Sequence, residues 1–476
     1  MVGTKRHIVR PPIRAHHRRS LPSEVEPLKR TPLGSYVVEM TRAQALRLAQ
    51  THPELWVEED QPLELFGIPG LPPRIDAEGQ FRREVLVRDQ RTGQPVPGVS
   101  VYGIGQGLAH RCKTSSEGRT VLATRERSVS EVVVSPRFGY WSRLLHDVDM
   151  GEQDELQVTL QPLPVTGDYS WGHRFMGFDR VNQHWTGRGI RVGIIDTGIS
   201  SAEADVRPEG GLNTISDTEP ERWDEDEKGH GTHCAGIVAS LHNDFGVRGG
   251  APDARIYSLK VYPGGRLSDL LEAVEWCVHA GLDVVSMSLG SKSPSRALSS
   301  AIEWGVMRGT TFVAAVGNHA SHVSFPAANP WTIAVGAFGR HGTFPINSAH
   351  RRQVGHAHDP WGRLFGARFT NYGPALEVCA PGVAIVSTVP GGYAAWDGTS
   401  MACPLISALV ALILEANPSI RTGDWRQVAW VRDMLQRSSV DLGLSPLLQG
   451  SGVPLANWAL PEAHRQSRRV VVYPFA

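Results

Sequence analysis

Val192-Gly-Ile-Ile-Asp196-Thr-Gly198 decides how this chain is read. The apolar run from Ile190 to Ile195 has the character of a buried strand. The Thr-Gly that follows turns the chain and leaves Asp196 at the strand's C-terminal edge. Two further stretches belong with it. His230-Gly-Thr-His-Cys-Ala-Gly236 opens a helix of small residues that can pack tightly. Gly398-Thr-Ser400-Met-Ala402 opens a second helix, Ser400 to Asn417, closed by Pro418. The three supply a carboxylate, an imidazole and a hydroxyl in the order Asp, His, Ser, one of the known orders for a serine hydrolase. A serine hydroxyl is a poor nucleophile until a base takes its proton. The imidazole is that base, and the carboxylate fixes its tautomer. At a helix N-terminus, Ser400 has free N–H groups beside it that favour a developing oxyanion.

The flanking pattern predicts an α/β domain. Strands are expected at 254–262, 283–288, 310–317 and 331–337, with helices at Leu267–Gly281 and Arg296–Gly309 between them. Such alternation implies a parallel sheet covered on both faces. Catalytic groups at strand C-termini and helix N-termini suit it.

From Trp171 to Asn457 these segments resemble the subtilisin-like serine proteases, the subtilases. Gly398-Thr-Ser-Met-Ala-x-Pro404 and His230-Gly-Thr-His-x-Ala-Gly carry the resemblance. It implies a serine endopeptidase with Asp196, His230 and Ser400 as catalytic triad, acting on protein or peptide substrates. Thr310-Thr-Phe-Val-Ala-Ala-Val-Gly317-Asn318 matches the family segment whose Asn donates its amide to the oxyanion. Ser288, Leu289, Gly290 and Ala315 match residues lining the cleft before the scissile bond, and they present small, apolar atoms. Leu241-His-Asn243-Asp-Phe-Gly246-Val247 resembles the family's calcium loop. The implied Ca2+ ligands are the side chains of Asp205 and Asn243 and the carbonyls of Leu241, Phe245 and Val247, all hard oxygens. An ordinary turn at Gly246 is the alternative. No cofactor for catalysis is implied.

Outside that domain the chain divides further. Residues 1–34, rich in Arg, His and Pro without periodicity, read as a disordered basic arm. Residues 35–75 read strand, helix, strand, and resemble the C-terminal half of a subtilase propeptide. The chain's own N-terminal segment is thus a candidate inhibitor, with Val57 to Leu65 leading to the cleft. Residues 76–165 carry short strands between turn signals, the pattern of a small β-sandwich. Thr92-Gly-Gln-Pro-Val-Pro-Gly98 resembles carboxypeptidase-regulatory-like modules. The peptidase domain spans 166–460, and 461–476 is a C-terminal tail. Residues 340–368, with His341, His350, His356 and His358, read as a solvated insertion.

Composition narrows the setting. The 476 residues hold 48 basic and 48 acidic side chains, which argues against a nucleic-acid partner. The longest apolar stretch, Ala408 to Leu414, is too short to span a bilayer, so no membrane partner is expected. The N-terminus lacks an apolar signal region, which predicts a cytoplasmic protein or one exported without a leader. Five scattered cysteines give no disulfide framework. Cys234, one turn after His230, reads as a buried free thiol. Asp224-Glu-Asp-Glu227 either attracts basic substrate residues or complements the following helix dipole. A catalytically silent binding protein would have lost a triad member, and all are present. A transpeptidase would use the same residues.

Overall fold

The computed structural model describes residues 4–11, 26–66, 75–76 and 79–460, apart from 107, 108, 153, 201, 203, 204, 217 and 292. The tail at 461–476, residues 12–25 of the basic arm, and 67–74 lie outside the described residues.

The catalytic domain is built on a nine-stranded, mostly parallel sheet. Its spatial order is Pro208–Asn213, Arg255–Lys260, Arg191–Asp196, Val284–Met287, Thr311–Ala315, Thr332–Arg340, Leu364–Ala367 and Val354–His358, with Val378–Pro381 also on Thr332–Arg340. Period-two alternation sends Val192 and Ile194 to one face and Ile195 to the other. Two cores result. One packs the helices His230–Ala239 and Thr399–Ala416 under the sheet; the other packs Leu267–His279 and Arg296–Val306 above it. The expected strands and helices are found, ending within a few residues of the expected limits. Thr399–Ala416 is the one described helix long and apolar enough to cross a membrane, and it is buried inside the protein.

Residues 79–163 form two sheets over one core. Arg119–Thr124, Phe81–Asp89 and Leu156–Leu160 make the first; Arg143–Asp149, Ser128–Ser135, Ser100–Ile104, Ala109–Lys113 and Ile75–Asp76 make the second. Ala109–Lys113 and Arg143–Asp149 escaped sequence reading because their polar residues hide the period.

Two expectations need correction. Part of the arm expected to lack structure is strand: Lys5–Arg10 lies between Tyr36–Met40 and Trp56–Glu59, and Pro27–Arg30 pairs with Tyr36–Met40. This four-stranded sheet carries the helix Arg42–Thr51, which Thr41 and Gln44 cap reciprocally. Only Ile8 and Val9 mark the first strand as apolar. Its last residue, Arg10, is 1% exposed and pairs with Glu275 at 2.8 Å, a partner no local pattern could reveal. The supposed solvated insertion is likewise structured. Val354–His358 and Leu364–Ala367 extend the main sheet, and His350 is buried with its Nδ1 2.7 Å from Asp397. His341 and His358 stack on each other and pack on Phe365.

Candidate active site

Asp196 ends its strand and Thr197-Gly198 turns away, so the carboxylate meets the helix that His230 starts. His230 Nδ1 is 2.7 Å from Asp196 Oδ1, and both residues are buried. Thr197 N–H donates to the same oxygen at 2.8 Å. Gly231 allows this approach, since a Cβ there would stand 2.1 Å from the Gly198 carbonyl oxygen. The helix start is held by Asp226, a residue sequence reading passed over within its acidic run. Its carboxylate accepts from Gly229 N–H, Thr232 N–H, Thr232 Oγ1 and Thr197 Oγ1. It therefore complements the helix dipole from inside the fold. Burial opposes charge on the His230 imidazole, but the charge and hydrogen bond of Asp196, with Asp226 behind, outweigh it and raise its pKa.

Ser400 is the second residue of its helix and fully buried. The preceding Gly398 has φ 152°, backbone that a side chain disfavours. Among the described residues, the Ser400 hydroxyl makes only a long contact, 3.4 Å, to the Ser288 carbonyl, and His230 Nε2 has no hydrogen-bond partner. Within the described residues both reacting atoms are uncommitted, and catalytic hydrogen bonds of this kind tighten when substrate binds. Asn318 follows the strand Thr311–Ala315. Its Oδ1 accepts from Thr399 N–H at 3.0 Å and Thr399 Oγ1 at 2.8 Å, which directs its amide nitrogen away from Thr399. That nitrogen stands 3.2 Å from where a Gly398 Cβ would be. Thr399, which fixes Asn318, was legible only as part of the Gly-Thr-Ser motif.

Ser288, Leu289, Gly290 and Ala315, the residues expected to line the cleft, are all buried. The chain's own residues lie against two of them. Glu64–Leu65 pairs antiparallel with Leu289–Gly290, Leu65 opposite Leu289. Next comes Phe66, 2% exposed, whose ring lies 2.3 Å from where a Gly290 Cβ would stand and meets His319 edge-on at 6.3 Å.

Asp196, His230 and Cys234 are the one His/Cys/carboxylate cluster near metal-binding distance among the described residues. Burial pushes the Cys234 thiol far above its usual pKa, so a neutral sulfur stands beside the Asp196–His230 pair. In the calcium-loop region, Asp205 is buried and accepts from Asn243 Nδ2 at 2.9 Å and weakly from Tyr393. Asn243 Oδ1 accepts from Phe245 N–H, and the Leu241 N–H donates to the Asp205 carbonyl.

The Subtilase family pattern, Peptidase_S8, matches residues 187–453, more than half the chain. Subtilisin of Bacillus pumilus is 38% identical over 274 residues, 56% of this chain and 88% of its own length. Subtilisin BL of Lederbergia lenta is 38% identical over 277 residues, 57% of this chain and 91% of its own. Subtilisin NAT of Bacillus subtilis subsp. natto, also 38% identical, is matched over 64% of its length. An Asp-His pair, an N-terminal helical serine and an oriented Asn meet where that pattern matches, and the chain belongs to the subtilase family as a serine endopeptidase.

Proposed function

We propose that this endopeptidase uses Ser400 as nucleophile, and that its own N-terminal segment is its first substrate and inhibitor. Ser400 Oγ attacks the carbonyl while His230 Nε2 takes its proton, and Asp196 stabilises the imidazolium. The Asn318 amide and the N–H groups at the helix start receive the oxyanion. Collapse expels the amine, to which His230 returns the proton; water then attacks the acyl-enzyme by the same route. Asn318→Leu should lower kcat about 100- to 1000-fold with little change in KM, a magnitude taken from subtilisin itself. Equal losses in binding and turnover would remove Asn318 from this role.

One observation carries the self-inhibition: the antiparallel pairing of Glu64–Leu65 with Leu289–Gly290, with Phe66 buried beside Gly290. A peptide adding a strand to an exposed edge binds in this way. Continuing the register places Phe66 opposite Ser288, so Phe66 fills the pocket for the residue before the scissile bond. The bond to be cut is Phe66–Gly67, and the enzyme prefers large apolar residues at that position. A synthetic peptide spanning residues 55–66 should inhibit competitively, and replacing its Phe66 by Asp should abolish inhibition. Inhibition that survives the replacement would sink the register.

Calcium is a structural part of the same reading. Asp205 is a buried carboxylate with no ion pair among the described residues, and burial raises its pKa. A cation held by Asp205, Asn243 and the carbonyls of Leu241, Phe245 and Val247 would supply the missing charge. Calcium should raise the melting temperature and EGTA should lower it; a melting temperature indifferent to both excludes the site.

A further inference from the structure

A cavity of about 290 Å3 lies between the sandwich and the catalytic domain. That is just below the range of about 300–1,000 Å3 typical of drug-sized ligands. Its lining mixes polar and apolar surface, with Tyr102 and Val133 on one side and Trp396 on the other as apolar rests. Its charge is one-sided. Arg111, Lys113, Arg137 and Arg352 all line it, against a single carboxylate, Asp397. That carboxylate is engaged, since its Oδ1 takes His350 Nδ1 and Ala384 N–H, each at 2.7 Å. Arg352 is paired with Glu131 at 3.1 Å. Arg111 lies over the Tyr102 ring and donates to Ser100 Oγ. Lys113 and Arg137 make no ion pair among the described residues. Cations around one partly enclosed space repel one another and attract any anion that enters.

The cavity also reaches the catalytic machinery. The Trp396 ring stacks on His233 at 4.6 Å and lies nearly parallel to the His230 ring at 6.3 Å. Asp397 directly precedes Gly398-Thr-Ser400. A ligand touching Trp396 and Asp397 therefore touches the wall behind the triad.

We propose that this cavity binds a small oxyanion with an apolar body, the free carboxylate end of a short peptide, and that its occupancy alters turnover. Each hydrolysis releases such an end. The carboxylate meets Lys113, Arg137 and Arg111, and the side chains rest on Tyr102 and Trp396. Inorganic phosphate offers anionic oxygens without the body.

The test uses the full chain carrying Ser400→Ala, titrated calorimetrically with acetyl-Leu-Leu, with its C-terminal amide, and separately with phosphate. The free carboxylate should bind saturably and about tenfold or more tighter than the amide, as one charge-assisted contact implies. Binding should vanish in K113E/R137E, both changes at exposed side chains that leave the fold and basal turnover intact. In the wild type, saturating acetyl-Leu-Leu should change kcat/KM for an unrelated peptide, and K113E/R137E should erase the change. Phosphate that displaces acetyl-Leu-Leu supports an oxyanion site. Phosphate binding alone overturns the peptide assignment. Equal binding of acid and amide, or binding untouched by the charge reversal, overturns the site. A rate indifferent to saturating ligand overturns the coupling.

Discussion

Two segments precede the catalytic domain, and they differ in how far each is ordered by a core of its own. The sandwich owns its core, a cluster running from Val85 through Val101 and Leu122 to Leu160. It meets the catalytic domain through Trp141, which joins that domain's core and packs edge-on against His350, and through polar contacts such as Ser142 with Ser348 and Glu131 with Arg352. The N-terminal module has a meagre core of Val9, Val38, Met40, Ala45 and Leu48. Its neighbour Ile8 joins the core of the catalytic domain. Its grip is ionic and directional. Arg10 pairs with Glu275, Asp60 accepts from Ser268 N–H and Oγ at the start of one helix, and Glu58 accepts from Arg296 and Ala297 N–H at the start of the next. A segment that orders itself can persist on its own. A segment ordered by the enzyme beneath it depends on that surface and can respond to it.

The largest expected effect breaks the module's grip. Arg10→Met in the Ser400→Ala background leaves the buried Glu275 carboxylate without its countercharge, held only by neutral donors such as Leu33 N–H, and should cost about 3–5 kcal/mol in denaturant unfolding. R10M/E275L should recover much of it. A single variant as stable as its parent would show that the pair carries none of the attachment. Leu122→Ala puts a comparable lesion in the sandwich, about 2–5 kcal/mol. Its loss should appear as a separate, earlier unfolding transition while peptide hydrolysis is unchanged. One shared transition would erase the contrast between the segments.

A smaller effect sharpens the contrast. Glu58→Gln removes the charge at the Arg296–Val306 helix start, for about 0.3–1 kcal/mol of stability. It should also weaken self-inhibition, read as faster hydrolysis of a small substrate before any processing. The smallest effect concerns pH. His230 must be neutral to accept the Ser400 proton, and its pKa is raised, so kcat/KM should rise through a limb above pH 6.5. Asp226 contributes to that rise, and Asp226→Asn should move the limb to lower pH. A limb that stays in place would remove Asp226 from the electrostatics of the base.

Much of the catalytic domain was legible because its signals are local. Asp196, His230, Asn318 and Ser400 each stand at the end of a strand or the start of a helix marked by apolar runs and glycines. What escaped depends on distant partners. The strand Lys5–Arg10 reads as a basic run until Glu275 and the flanking strands are known. Asp226 looks like one acid among four until its four bonds are seen. His350 looks like a solvated histidine until Asp397 and Trp141 enclose it. Phe66 carries no motif at all, and only the register against Leu289–Gly290 gives it a role.

The central claim is that this enzyme's cleft is filled by its own chain, with Phe66 in the pocket of the residue to be cut. Intact-mass measurement of the wild type and of Ser400→Ala, folded side by side, tests it most directly. The account predicts that the wild type is cut between Phe66 and Gly67 and that Ser400→Ala stays whole. A wild type that hydrolyses peptides yet keeps that bond, or a Ser400→Ala chain cut at the same place, would contradict it.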